Sequence, residues 1–283
     1  MRLSRLAICD IPMHRTGLRT PVLTVTSQMK YGQLPSSPAK HTAVRILNMS
    51  KSESPYGAMR SFPGNEAFLR TARNLGISTL QAICELIDNS LDEGANIIRI
   101  KIEENGKYLR ICVADDGGGI PATIRRHGTE YDGLSYALSF GGRYNGGSPG
   151  KIGKFGFGLS SSASCQSLKT EVYTQETHED DFRYTYVDID EMIDSRTVRP
   201  PSTKPDVPAT SDWPQNFDDH GTLVILDKCD SPDRKSVNGM VKYLIPQLGR
   251  IYRRYLRADR DIVVNQTEVD PIDPLFLMDQ AHN

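Results

Sequence analysis

The sequence is poor in several things, and each shortage excludes a class. Five cysteines are scattered through 283 residues (Cys9, Cys84, Cys112, Cys165 and Cys229) with no CxxC pair. That spacing excludes a zinc-ribbon site and a disulfide framework and fits a reducing compartment, so the cytoplasm is the expected location. No apolar run approaches the roughly 18–20 residues that a membrane-spanning helix needs, so no membrane partner is expected. Neither sign of charge dominates, with 34 basic against 35 acidic side chains. No internal repeat is visible, which excludes solenoids and propellers built from copied units.

The near-neutral total hides an asymmetry. Residues 1–50 carry seven basic side chains against one acid, Asp10, so the remaining 233 residues carry −7. The head has no sustained periodicity and contains Leu34-Pro35-Ser36-Ser37-Pro38. Residues 1–54 therefore read as a disordered leader, as a chain start set too early with Met49 the true one, or as a transit peptide, which is also Arg-rich and acid-poor. The −7 of the remainder gives no electrostatic footprint for nucleic acid. The candidate patch for such a partner is Arg250-Ile251-Tyr252-Arg253-Arg254-Tyr255-Leu256-Arg257, although basic runs on helices commonly just face solvent.

From Asn65 the text becomes regular. A short helix is expected from residue 64 or 65 through Arg73. Ser78 and Gln81 form a capping box for a second helix that runs to about Glu93 and stops at Gly94. Ile98, Ile100 and Ile102 alternate with charged residues, and after Glu104-Asn105-Gly106 so do Leu109, Ile111 and Val113, which predicts a hairpin with one apolar face. Further strands are expected at Thr170–Gln175, Phe182–Ile189, Thr222–Leu226 and Ile262–Asn265. Residues 234–257 have helical spacing, and five prolines make 200–214 a loop. The predicted class is α+β, helices on one face of a mixed, mostly antiparallel sheet in two layers.

What the sequence has in plenty is glycine, and 13 of the 23 fall between Gly117 and Gly158. Four segments in and around that window carry chemistry. On the second helix Glu85, Asp88, Asn89 and Asp92 share a face, because positions three and four apart are neighbours. A carboxylate can deprotonate a water, and a carboxamide oxygen is a hard ligand for Mg2+; the plain alternative is a solvated acidic face. Asp115-Asp116-Gly117-Gly118-Gly119-Ile120 follows a strand, where a carboxylate can accept from an exocyclic amine beside a sharp turn. Lys151-Ile152-Gly153-Lys154-Phe155-Gly156-Phe157-Gly158 feeds an apolar, small-residue stretch, and backbone N–H groups at a helix start hold phosphates. It is not a Walker A loop, which ends in Gly-Lys-Ser/Thr. The residues before it include Gly141, Gly142, Gly146, Gly147 and Gly150, the composition of a lid. The fourth segment is Gly221-Thr222, opening a strand with a hydroxyl that can touch a purine.

A helical ExxxN, a post-strand DxGxG, a lid ending in GxxGxG and a late GT, in that order, resemble the GHKL ATPases, the superfamily of gyrase, the ninety-kilodalton heat-shock chaperone, histidine kinases and MutL. The resemblance covers about residues 65–270. Around Gly153 it is most similar to the heat-shock chaperone and the MORC-type ATPases, and around Glu85 to MutL and gyrase. It implies the Bergerat fold, an ATP-binding domain over 55–283 with a lid at about 121–158, and ATP with Mg2+ as substrate and cofactor. It implies that Glu85 is the general base, that Asn89 ligates the metal, and that Asp115 binds adenine N6 in a pocket with Gly117, Gly119 and Ile120. Gly153, Lys154, Gly156, Phe157 and Gly158 would grip the phosphates and Thr222 would touch adenine.

The implied activity is Mg-dependent ATP hydrolysis under a closing lid. In the gyrase, MutL and chaperone branches a further domain supplies a cation to the γ-phosphate. The chain to Asn283 leaves no room for one, so either the domain stands alone, or it is a fragment of a longer gene, or a second copy or a partner protein completes the site, and slow turnover is expected in isolation. The alternative is a non-catalytic ATP-dependent switch. A histidine-kinase-type phosphotransferase fits worse: those kinases lack a base at the position of Glu85, and His14 and His41 lie in the unstructured head.

Overall fold

The computed structural model describes residues 70–274 except 72, 127, 140–157, 198–199, 215–216 and 218–219. The leader expected over 1–54, the start of the helix expected at residue 64 or 65, the glycine-rich half of the lid and the loop residues Gly153, Lys154, Gly156 and Phe157 lie outside the described residues.

Helix α1, Thr79–Asp92, starts as its capping box dictates. Ser78 Oγ accepts from Gln81 N (3.2 Å) and Gln81 Oε1 accepts from Ser78 N (2.9 Å). Its apolar face, Ala82, Ile83, Leu86 and Ile87, is buried, while Glu85, Asp88, Asn89 and Asp92 lie half-buried on the other side. Each such buried Leu or Ile contributes roughly 1.5–3 kcal/mol, which fixes the rotation of the helix and so aims the acidic face.

The expected hairpin is β1, Ile97–Asn105, with β2, Tyr108–Asp115. Register pairs Ile98 with Asp115, Ile100 with Val113 and Ile102 with Ile111. Because strand side chains alternate, this puts all the buried isoleucines toward α1 and sends Arg99, Lys101 and Glu103 to the outer face. Further strands are β3 (Thr123–Arg126), β4 (Thr129–Asp132), β5 (Ser167–Gln175), β6 (Arg183–Asp188), β7 (Lys204–Pro205), β8 (Gly221–Cys229), β9 (Asp261–Val264) and β10 (Thr267–Glu268). The main sheet runs β10-β9-β1-β2-β8-β5-β6-β7; β1 and β9 pair in parallel and the other ladders are antiparallel. The other helices are α2 (Gly133–Ala137), α3 (Gly158–Gln166), α4 (Ile189–Asp194), α5 (Val237–Ile251) and α6 (Arg253–Leu256). The main core joins α1, α3, α4 and α5 to one sheet face through Ile83, Ala163, Met192, Met240, Leu244 and Leu248. The class is therefore α+β with a mixed, mostly antiparallel sheet, as expected.

Three differences from the sequence expectation have physical causes. The long helix over 234–257 begins only at Val237, where Ser236 caps it, and breaks at Tyr252. The Tyr252 ring is buried and its hydroxyl donates to Cys84 O (3.0 Å) and Asp88 Oδ1 (2.8 Å) on α1. The first part of the lid range is not glycine-rich loop but the β3–β4 hairpin followed by α2, capped by Asp132 Oδ1 accepting from Ser135 N (2.8 Å). The proline-rich segment is mostly loop, yet it covers part of the outer face. Phe217 joins Cys112, Ala114, Leu223 and Ile225 in a second small core, with Trp213 edge-on to Phe217 and Phe182. Among the described residues no helix is long and apolar enough to cross a membrane.

Candidate active site

Asp115 closes β2 at the end of the sheet nearest α1. It pairs with Thr222 on β8, and Thr222 pairs with Thr174 on β5, so three polar side chains form a row across the central strands. The Asp115 carboxylate is 6% exposed and held at both oxygens. Oδ1 accepts from Gly117 N (3.0 Å) and Thr222 N (3.3 Å); Oδ2 accepts from Ser90 Oγ (2.7 Å), on α1 one residue beyond Asn89. Burial pushes Asp115 up to about 6, against these hydrogen bonds, which pull it down. An ionised carboxylate offers about four lone-pair sites, and three are taken. The remaining one is on Oδ2.

The turn after Asp115 is packed against backbone. Gly119 has φ +70°, and a Cβ there would lie 2.5 Å from Gln175 O; Gly221 has φ +127°, and a Cβ there would lie 1.9 Å from Asp115 O. Only glycine fits either place. Ile120 is buried, and its N–H donates to Thr174 Oγ1 (2.8 Å). Thr174 and Thr222 share a hydroxyl–hydroxyl bond of 3.2 Å, and His220 Nδ1 lies 3.0 Å from Gly117 O. Asp116 serves the strand, since its Oδ1 accepts from Asn96 N (2.7 Å) and Ile97 N (2.8 Å).

One turn up α1 from Asn89 sits Glu85. Burial raises its carboxyl above the ordinary range, and the negative charge of Asp88 adds to that. Asp88 is itself raised by burial, opposed by the hydrogen bond from Tyr252, with Asp92 pushing it up. Among the described residues no partner engages the Asn89 carboxamide. Helix α3 packs beside α1: Thr79 Oγ1 donates to Gln166 Oε1 (2.7 Å), and Gln166 Nε2 donates to Ile77 O (2.6 Å). Gly158, the last glycine of the expected phosphate loop, is the first residue of α3.

The structure thus brings Asp115, Gly117, Gly119, Ile120 and Thr222 together at one sheet end, with Asn89 and Glu85 on the helix bonded to it. Two contributors were not expected. Ser90 is buried on the core side of α1, and its hydroxyl donates to Asp115. Thr174 is joined to the expected Gly221-Thr222 segment by strand register. The signal that points to Thr174 is a polar residue on the inward face of an alternating strand.

The site is built on an α+β domain, and its sequence matches a known family. Residues 77–222 match the family described as histidine kinase-, DNA gyrase B- and HSP90-like ATPase. The chain belongs to that ATPase family. It is 46% identical over 50 residues to the DNA mismatch repair protein MutL of Ralstonia nicotianae, a stretch covering 16% of this chain and 8% of that one. The ATPase and transducer domains of DNA topoisomerase II from Balamuthia mandrillaris superpose with a TM-score of 0.47 at 14% identity, over 67% of this chain and 48% of that one. The chain thus spans less than half the length of either relative.

Proposed function

We propose that this domain binds ATP beside Asp115 and hydrolyses it with Glu85 as general base. The observation that carries the reading is the Asp115 carboxylate, buried and clamped by Ser90, Gly117 and Thr222, with one acceptor site left on Oδ2. An exocyclic amine donating there fits adenine, and Gly119 and Ile120 shape the pocket beside it. The same helix that supplies Ser90 carries Glu85, whose carboxyl burial raises above the ordinary range, making it a stronger base than a free one. A water between Glu85 and the terminal phosphate loses its proton to Glu85 as its oxygen bonds to the γ-phosphorus, and the bond from that phosphorus to the β-phosphate oxygen breaks, giving ADP and phosphate.

The Asn89 carboxamide, half-buried and unpartnered among the described residues, suits an oxygen-seeking divalent cation. Asn89 would hold Mg2+ there, and the ion would neutralise phosphate charge. Gly153, Lys154, Gly156, Phe157 and Gly158 complete the reading as the phosphate grip at the start of α3, and Thr222 as an adenine contact. A lid over 121–158 within a domain of 55–283 is part of the same proposal.

Glu85→Gln tests the reading. It keeps the shape of the side chain and removes the base, so ATP affinity is expected within about twofold of wild type and turnover down by 10²–10⁴-fold. Undiminished turnover in Glu85→Gln would remove Glu85 from the role.

A further inference from the structure

Two hydrogen-bonded contacts hold α1, one on each flank of its acidic face. A helix turns about 100° per residue, so Cys84 and Asp88 lie about 100° and 60° to one side of Glu85, and Asn89 and Ser90 about 40° and 140° to the other. On the Ser90 flank the serine hydroxyl donates to Asp115 Oδ2 (2.7 Å). On the opposite flank the Tyr252 hydroxyl, arriving from the break between α5 and α6, donates to Cys84 O (3.0 Å) and Asp88 Oδ1 (2.8 Å). Tyr252 is the one buried residue of the basic run 250–257, and its ring belongs to the main core, so the hydroxyl reaches α1 from a fixed support. The ATP reading uses the Ser90 contact and leaves the Tyr252 contact without a role.

The Tyr252 contact sorts the polar residues of the acidic face. Glu85 and the Asn89 carboxamide have no side-chain partner among the described residues, whereas the half-buried Asp88 carboxylate is bonded. Asp88 is close enough to Glu85 for its charge to act there. A loose carboxylate can change rotamer and accept from any nearby donor. With Asp88 loose, a water beside Glu85 has two acceptors to choose between, and a water turned toward the wrong one is misplaced for attack.

We propose that Tyr252 is a positioning residue for the hydrolysis described above, a reading on which this inference rests: its hydroxyl fixes the rotation of α1 from the flank opposite Asp115 and holds the Asp88 carboxylate aside, so that Glu85 alone takes the proton of the attacking water. Tyr252 touches no substrate in this arrangement and acts through Asp88 and α1.

The test measures ATP affinity, and turnover at saturating ATP and Mg2+, in the full chain. Tyr252→Phe removes one oxygen and keeps the buried ring. Its kcat is expected to fall about tenfold with ATP affinity within about twofold of wild type, because the pocket at Asp115 is untouched. Asp88→Ala removes the competing carboxylate and is expected to keep kcat within about twofold of wild type. Combining the two is expected to restore the lost turnover to within about twofold of Asp88→Ala, whereas damage to the fold alone would carry over into the double variant. Undiminished kcat in Tyr252→Phe, a double variant as slow as Tyr252→Phe, or a slow Asp88→Ala would overturn the role of Tyr252, and the last is decided even where Tyr252→Phe fails to fold. Glu85→Gln, run alongside, separates this inference from the reading beneath it. Lost turnover in Glu85→Gln together with any of those three results keeps Glu85 as the base and removes Tyr252 alone; undiminished turnover in Glu85→Gln removes both.

Discussion

The Asp115 carboxylate accepts two hydrogen bonds on Oδ1 and one on Oδ2, and this asymmetry makes Asp115→Asn a clean experiment. The amide oxygen can take the Oδ1 place and keep both backbone N–H partners. The NH2 then faces Ser90, whose hydroxyl can accept instead of donate. Folding should survive, with Tm within a few degrees of wild type, while the group facing adenine becomes a donor and ATP affinity falls at least about tenfold. Normal affinity in that variant would refute the pocket assignment. The acidity of Asp115 adds a pH test. Its folded value is raised by burial to about 6, so it is ionised above that and protonated below. A protonated carboxyl gives up an acceptor site, so binding of adenosine, which has no phosphate to titrate, should be constant above about pH 7 and weaken up to tenfold per unit below about 6. The contribution of Asp115 to the ligand-free fold runs the other way. A raised carboxyl takes up protons on folding, so that contribution is full below the ordinary carboxylate value and is lost as pH rises to about 6. Residue type and spacing single out Glu85, Asn89, Asp115 and Thr222 as candidates in the sequence, and the structure pairs Asp115 with Thr222. Ser90 and Thr174 were not legible, because a serine on a helix and a threonine on a strand acquire their partners only through tertiary register.

At the scale of elements, the β2–β8 pairing builds the pocket and Gly221 is its tightest point. A methyl group there would sit 1.9 Å from Asp115 O and 3.2 Å from Asp116 Cα, backbone atoms that cannot swing aside, in a φ of +127° that side chains avoid. Gly221→Ala is expected to cost at least about 3 kcal/mol, which in a domain of this size lowers Tm by roughly 6 °C or more, and to reduce ATP binding with it because Thr222 N is a partner of Asp115. A melting curve that overlays wild type would show that β8 enters the sheet differently. Elements with strong periodicity were legible. The capping box set the start of α1 to the residue, and alternation gave the β1–β2 hairpin. The break at Tyr252 was not legible, because helical spacing continues through it and the interruption comes from its hydroxyl reaching Cys84 and Asp88 on α1. The cover supplied by Trp213 and Phe217 was hidden for a related reason: proline content announces a loop but not the face it lies on.

In the whole molecule α1, α3, α4 and α5 pack on one face of the main sheet, and the residues of the proposed ATP site lie on that side. The helical side also bears on assembly. Helix α3, packed against the α1 that carries Glu85, spans Gly158–Gln166 and has no charged side chain. In the proposed reading Lys154, just before this helix, grips the phosphates, and we take a second copy or a partner protein to supply a further contact to the γ-phosphate. If two chains complete each other, turnover per chain rises in proportion to concentration while monomers dominate and levels off once dimers form, because the active species is set by mass action. Measured over about a hundredfold range of concentration with saturating ATP and Mg2+, the specific activity should rise, and sedimentation should show dimer over the same range. Adding the inactive Glu85→Gln chain in excess should then change the activity of a fixed amount of wild type, since mixed dimers replace wild-type ones. A specific activity that stays flat across the range, with no response to the inactive chain, would mean that one chain carries every group its turnover needs.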